Sequence, residues 1–198
     1  MKIFQMTADG NPGGGTEVVL SLCKELIKNK HTVYLAIQEG SYGFFVAQDL
    51  KVNVIPVNFF KAVISYSLKK KIQRVCDSIK PDIIHVHGSR AAFHVSRCRI
   101  EFPSIYTVHG YHFIERNFIR RNLGKIAEMR NIKRFDCITF VCENDLKSSL
   151  KYNIMKSTTL KNIIHNGIDF NNLPLRKKDD KHRSIVFLGR LCYPKDPV

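Results

Sequence analysis

Lys80-Pro81-Asp82-Ile83-Ile84-His85-Val86-His87-Gly88 carries a helix stop, a short apolar run and a glycine exit in immediate succession. Proline cannot donate to a helical ladder and it restricts the residue before it, so the helical period of Lys69 to Ile79 has to end at Lys80-Pro81. Asp82 to His87 is then a short run rich in β-branched residues, which predicts a strand. Short apolar runs alternate in the same way with longer helical segments along the chain, the pattern of a parallel sheet with helices on both faces.

Working outward, the expected strands are Lys2 to Thr7, Thr32 to Gln38, Val52 to Asn58, Asp82 to His87, Ser104 to His109, Cys137 to Val141 and Thr159 to Ile164. Several are nearly uninterrupted Val, Ile, Phe and Tyr, as when both faces of a strand are buried. Four helices are expected between them. Thr16 to Asn29 sets Val19, Leu20, Cys23, Leu26 and Ile27 on one stripe, with Lys24, Lys28 and Asn29 facing out. Lys69 to Ile79, Arg116 to Arg134 and Glu143 to Tyr152 follow. The fold class is therefore α/β and Rossmann-like, over residues 1–169. Residues 170–183, with Asn171-Asn172, Pro174 and a mixed charge run, read as a linker. Residues 184–198 begin a fresh strand, Ser184 to Arg190, and are expected to open a second domain that the chain does not complete.

The chain has 198 residues and is 44% hydrophobic, enough for a sizeable core. Its 32 Lys and Arg against 17 Asp and Glu leave +15, which favours phosphorylated ligands, nucleic acid or an anionic membrane surface without choosing among them. The cysteines Cys23, Cys76, Cys98, Cys137, Cys142 and Cys192 are scattered and form no C-x-x-C pair, so they are expected to be reduced core residues of a cytosolic protein. No stretch approaches the roughly 20 apolar residues of a membrane span.

Three constellations carry chemistry. Gly13-Gly14-Gly15-Thr16-Glu17 lies between the first strand and the first helix, where glycine lets the backbone come close to a ligand and free N–H groups can cradle a phosphate or a sugar hydroxyl. It is neither the G-x-G-x-x-G fingerprint nor a P-loop, and a plain tight turn accounts for it equally well. His87 and His109 end successive strands, the edge at which open α/β sheets bind ligands, and a glycine follows each, leaving room beside the ring. His85 and His87 share a strand, so one of them is expected to be a buried, hydrogen-bonded core histidine. A hydrolytic metal centre would bring Asp or Glu ligands that these strand ends lack, and no metal is expected. Arg190 and Lys195, in Gly189-Arg-Leu-Cys-Tyr-Pro-Lys-Asp196, can neutralise a diphosphate. In the helix from Arg116, Arg120, Arg121, Lys125, Arg130, Lys133 and Arg134 alternate with Phe118, Ile119, Leu123, Ile126 and Met129. Either it packs its apolar stripe and solvates its cations, or it touches anionic lipid headgroups around a lipid-linked acceptor. Aromatic residues are not interleaved as a single-strand nucleic-acid platform needs, and nucleic acid is not an expected partner.

In order, these pieces resemble the family 4, or group 1, glycosyltransferases of GT-B architecture. Gly14-Gly15-Thr16-Glu17 looks like their Gly-Gly-x-Glu loop, and Asn29 to Val33 like the Gly-His-x-Val entry to the second strand. Pro81 to His87, Thr107-Val108-His109-Gly110, Asn166-Gly167-Ile168-Asp169, and Gly189-Arg190 with Lys195 follow in the family's order. The resemblance implies the N-terminal, acceptor-side half of an enzyme that moves a sugar from a nucleotide-sugar donor, with retention and without a metal or other cofactor. It implies that Gly14 and Gly15 lie against the donor, that His109 hydrogen-bonds the transferred sugar as the catalytic histidine, and that Arg190 and Lys195 hold the diphosphate. His87 and Glu17 stand as candidates on the acceptor side.

Many relatives build lipopolysaccharide, capsule or glycolipid, so the expected acceptor is a glycan or a lipid-linked sugar. The expected location is the cytoplasm, at the inner face of the cell membrane. The sequence departs from the family pattern at Lys30, where glycine is usual, and at Cys142, where serine is common. The Glu-x7-Glu motif of the donor domain is not among these residues, so the 198-residue chain alone is expected to have negligible transferase activity. Alternatives left open are a non-enzymatic acceptor or membrane subunit of a split enzyme and a GT-B sugar-nucleotide epimerase.

Overall fold

The computed structural model describes residues 1–60, 64–111, 113–114 and 117–168. Seven strands, β1 (Lys2–Thr7), β2 (Thr32–Ile37), β3 (Asn53–Pro56), β4 (Ile83–His87), β5 (Ser104–Val108), β6 (Cys137–Phe140) and β7 (Lys161–Ile163), form one parallel sheet in the order β3-β2-β1-β4-β5-β6-β7. All seven expected strands are present, each trimmed at one end or both except β1. The chain winds outward from β1 to β3 and then returns to β4, so the direction of winding reverses between β1 and β4. That reversal opens a crevice at the carboxyl ends of those two strands.

Among the described residues six helices connect the strands: α1 (Gly14–Lys28), α2 (Tyr42–Asp49), α3 (Tyr66–Ile79), α4 (Ser89–Val95), α5 (Phe118–Ile132) and α6 (Glu143–Lys151). Alternation along the strands divides the core in two. Phe4, Met6, Ala36, Ile84, Val86, Tyr106, Val108, Ile138 and Phe140 point to one face, where Leu68, Ile72 and Cys76 of α3, Ala91, Ala92 and Val95 of α4 and Ile132 of α5 cover them. Val33, Leu35 and Ile37 point to the other, under Val19, Leu20 and Cys23 of α1 and Ala47 of α2. The expectation of helices on both faces holds.

Two helices escape the sequence pattern. α2 lies between two expected strands where none of the four expected helices falls; its entry is the Ser41 hydroxyl, which accepts a hydrogen bond from the Phe44 N–H at 3.3 Å. α4 has only seven residues and no side-chain cap, and it is held by burial of Ala91, Ala92 and Val95. The glycine preceding it also has a different reason from the one expected. Gly88 has φ 77°, a conformation that L side chains resist, whereas a Cβ there would meet nothing within 4 Å. Backbone conformation, not space beside the histidine, calls for glycine.

Of the apolar stripe of α5, Met129 packs against the core and the rest is turned outward. Phe118, Ile119, Leu123 and Ile126 are exposed, Ile119 at 70% and Leu123 at 63%. The inward seam holds Gly124, Glu128, Asn131 and Ile132. Gly124 sits against Phe113, whose Cβ and Cγ lie 2.6 Å from where a Cβ would stand, so the ring occupies the space that glycine vacates. The packing alternative, an ordinary helix that buries this stripe, is thereby corrected. Of the basic residues, Arg134 is used internally, donating through Nε to the Ser96 carbonyl at 3.1 Å, and Arg116 lies outside the described residues.

Lys30, Lys51, Lys80 and Asn153 adopt left-handed φ values between 50° and 64°, each at or just after the end of a helix. The five described cysteines are free; Cys23, Cys76 and Cys98 are buried. Cys192 lies outside the described residues. Among the described residues no helix is long and apolar enough to cross a membrane.

Candidate functional site

Two structures meet at the crevice between β1 and β4. The first is the loop from β1 into α1. Asp9 shapes it: its carboxylate accepts from the Asn11 N–H at 2.9 Å, and its carbonyl accepts from the Thr7 and Thr16 hydroxyls at 3.3 and 3.4 Å. Gly10 locks it to α2, its carbonyl accepting from the Gly43 N–H at 2.8 Å; a Cβ on Gly10 would come 2.0 Å from the Ser41 hydroxyl oxygen. The result is an exposed helix start at Gly13, Gly14 and Gly15, with open space around each and no side-chain cap on its amides. Glu17 is exposed as well, and its carboxylate takes a hydrogen bond from the Tyr42 hydroxyl, which pushes that phenol's pKa up.

The second is a chain of imidazoles along the sheet face that α1 covers further out. Gln5 pairs in register with His85 and Thr7 with His87, so a polar side chain of β1 lies beside the histidines of β4. Gln5 and His87 are buried, 1% and 4% exposed. His87 Nε2 lies 2.7 Å from Gln5 Oε1, and His87 Nδ1 lies 3.2 Å from His109 Nε2, the two rings stacked with centroids 5.5 Å apart. His85 stacks on His87 at 4.0 Å and reaches the Thr107 hydroxyl at 2.7 Å, which in turn meets Thr139 at 2.5 Å. His109 is half-buried, and its Nδ1 has neither solvent nor a hydrogen-bond partner among the described residues.

The electrostatics follow from burial. Three imidazoles packed together and desolvated cannot charge easily. Burial pulls His85 down to about 4 and His87 well below its ordinary value, and neighbouring imidazoles add to both effects. Burial also lowers His109, with the Asp145 carboxylate of α6 opposing it. Near neutral pH all three rings are uncharged, each with one N–H and one lone pair.

Of the residues singled out from sequence, Gly14, Gly15 and His109 come to one edge of the sheet, the first two on the β1 exit and the last on the β5 exit, with β4 between. His87 lies behind His109 instead of on the open surface. Arg190 and Lys195 lie outside the described residues. Gln5, Thr107 and Asp145 were not singled out, and His85 figured only as a candidate core histidine, although the lone glutamine in the apolar run Lys2 to Thr7 was a usable signal. A separate groove of about 750 Å³ runs between α3 and the β2–β3 edge, lined in part by Tyr34, Asn53, Lys71 and Arg74; no residue of the imidazole chain lines it.

A parallel sheet with this strand order and an open crevice at its winding reversal is the N-terminal half of the GT-B glycosyltransferase architecture, and solved structures bear this out. Anabaena Alr3699/HepE, solved with UDP and glucose, superposes with a TM-score of 0.71 at 15% identity, covering 86% of this chain and 46% of that one. A glycosyltransferase from Rickettsia africae matches with a TM-score of 0.65 at 16% identity, covering 85% and 43%. Sucrose-phosphate synthase from Thermosynechococcus elongatus matches with a TM-score of 0.62 at 12% identity, covering 83% and 47%. The chain thus spans less than half the length of each. No curated protein sequence matches it. The sequence profile of Glycosyltransferase Family 4 matches residues 12–172, and the chain belongs to that family.

Proposed function

We propose that this chain forms the acceptor-side lobe of a retaining glycosyltransferase of the hexosyltransferase type. It moves a sugar from a nucleotide-sugar donor to a glycan or lipid-linked acceptor, without a metal, in the synthesis of cell-surface polysaccharide or glycolipid at the cytoplasmic face of the membrane. The observation that carries this reading is that uncapped amides at Gly14 and Gly15 and the unpartnered His109 Nδ1 lie at the same edge of the sheet, on the β1 and β5 exits that flank β4. The amides suit the donor's phosphate or sugar oxygens, and the imidazole suits the hydroxyls of the transferred ring. Arg190 and Lys195, within the proposed start of the donor lobe at residues 184–198, would balance the diphosphate as it leaves. Family membership and the likeness to HepE, which was solved with UDP and glucose, support the reading.

Titration of the isotopically labelled chain with UDP-, GDP- and CMP-sugars tests it, because amide shifts register even millimolar binding by half a site. Perturbation centred on Gly14, Gly15 and His109 by one of these donors is expected. Saturating donor that leaves those resonances unmoved would refute the assignment.

The outward stripe of α5 adds the membrane. Phe118, Ile119, Leu123 and Ile126 stand beside Arg120, Arg121, Lys125 and Arg130, with the Arg121 guanidinium 5.9 Å over the Phe118 ring. An apolar stripe edged by cations complements an anionic bilayer surface, in which the apolar residues lie at headgroup depth and the arginines among phosphates. Burying Ile119 and Leu123 is worth about 1.5–3 kcal/mol each. Ile119→Glu with Leu123→Glu is therefore expected to cut binding to phosphatidylglycerol-containing vesicles by about a hundredfold or more. Stability should change by no more than about 0.5 kcal/mol, since both side chains are exposed. Co-sedimentation unaffected by the double variant would discard the membrane contact, and so would binding of the wild type to phosphatidylcholine vesicles equal to that with anionic lipid.

A further inference from the structure

The three imidazoles and Gln5 form a chain of donors and acceptors, and its direction is set at the buried end. The Gln5 side-chain oxygen faces His87 Nε2 at 2.7 Å, and a carbonyl oxygen can only accept. His87 Nε2 therefore carries the proton, which leaves a lone pair on His87 Nδ1. That lone pair faces His109 Nε2 at 3.2 Å. Two lone pairs at that distance repel, so His109 Nε2 must be the donor, and the remaining nitrogen of His109 holds a lone pair. This is the nitrogen that has neither solvent nor a partner among the described residues. The opposite direction would turn the Gln5 amide round and make the same atom an N–H.

We propose that Gln5, acting through His87, fixes the tautomer of His109, so that the crevice presents a buried hydrogen-bond acceptor and engages a ligand hydroxyl in preference to an anionic oxygen. Gln5 and His87 are positioning residues; His109 alone is assigned to the ligand, whose entry has to uncover its buried Nδ1. The discrimination follows from sign: a lone pair attracts the hydrogen of a hydroxyl, and it repels a phosphate or carboxylate oxygen that has no proton to give. Division of labour at the crevice follows, with the α1 amides taking anionic oxygens and His109 taking neutral hydroxyls. The inference rests on the sugar-transfer reading only for the statement that the hydroxyl belongs to a sugar.

The rest of the surroundings keeps the chain from reversing. His85 covers one side of His87 and spends its own Nε2 on the Thr107 hydroxyl, so it offers no competing contact to His109. Asp145 lies near enough to His109 to act on its charge, yet it makes no hydrogen bond to the free nitrogen.

Long-range proton–nitrogen correlation spectra of the imidazole rings near neutral pH test the proposal without any ligand. The wild type is expected to show a pyrrole-type Nε2 and a pyridine-type Nδ1 on both His87 and His109, with the preferred tautomer of His109 favoured about tenfold, as one neutral hydrogen bond allows. Gln5→Met, close in size but unable to accept, should bring the His109 nitrogens toward averaged shifts. Gln5→Glu, an acceptor while its carboxyl is ionised, should restore the wild-type pattern at a pH where it carries its charge, a rescue that packing alone would not produce. A proton on His109 Nδ1 in the wild type would overturn the proposal even if neither variant folds. So would an unchanged His109 tautomer in folded Gln5→Met. UDP-glucose added to the wild type should shift Nδ1 as it accepts a hydrogen bond, while sulfate, an anion with no proton to give, should not; a sulfate-induced shift at that atom would contradict the proposal. A correct tautomer with no response to any nucleotide sugar would uphold the relay and remove the sugar-transfer reading.

Discussion

Between pH 6.5 and pH 4 the chain is expected to lose several kcal/mol of stability through its buried histidines. His85 is pulled from 6.5 to about 4, and His87 and His109 are pulled down as well, all chiefly because burial disfavours the charged ring. The unfolded chain takes up protons as the pH drops below 6.5, whereas the folded chain does not until much lower. Acid therefore favours unfolding, and the stability present above the ordinary histidine pKa drains away as the pH falls toward the folded one. At about 1.4 kcal/mol per pH unit of displacement, His85 alone accounts for roughly 3 kcal/mol, a large part of the 5–15 kcal/mol typical of a domain. Urea midpoints measured across this range should fall steeply. His85→Gln, which can still reach Thr107, should flatten the dependence by about that share. A wild-type midpoint that stays level from pH 7 to 4.5 would contradict the burial of the three rings.

Glu128 is expected to act in the opposite sense. Its carboxyl is 1% exposed and receives the Tyr106 hydroxyl, 3.1 Å from both oxygens, with Ser89 and Asn131 also in contact. No cation pairs with it among the described residues, and burial, the largest influence, raises its pKa above the ordinary value. The folded chain holds a proton that the unfolded chain gives up, so stability is greatest at low pH and falls as the pH rises through the folded pKa. Glu128→Gln keeps the shape and removes the charging cost, so it should leave stability at neutral pH unchanged or about 1 kcal/mol higher, and remove this part of the pH dependence. Glu128→Ala should cost about 2–5 kcal/mol, because it opens a cavity and leaves the Tyr106 hydroxyl with only its 3.3 Å contact to Ser89. Thermal unfolding of both variants at two pH values decides the matter: a Gln variant as damaged as the Ala variant would show that the negative charge itself is needed.

The sheet was legible because its signal is local. Each strand is a short apolar run bounded by a breaker, and tertiary contact has only to trim its ends, as at Asp82 and Gln38. The helices α2 and α4 were hidden for contrary reasons. Tyr42 to Ala47 is apolar almost without interruption and shows no period, while α4 is too short to show one. On α5 the stripe was visible but its direction was not, because which side of a helix meets the sheet depends on neighbours such as Phe113 and Tyr106 that lie remote in sequence. His109 and the glycines could be named from their place at strand exits. Gln5 stood out only as a polar residue in an apolar run, and its role exists only once β1 and β4 lie in register.

A parallel sheet sends every helix exit to one rim and every strand exit to the other. Lys30, Lys51, Lys80 and Asn153, whose backbones sit where glycine would rest more easily, are all at the helix-exit rim. The fold's conformational discomfort and its chemistry are thus segregated to opposite poles. Relaxing one pole, for instance by placing glycine at these exits, can retune the lifetime of the folded chain while leaving the pole of the proposed site as it is.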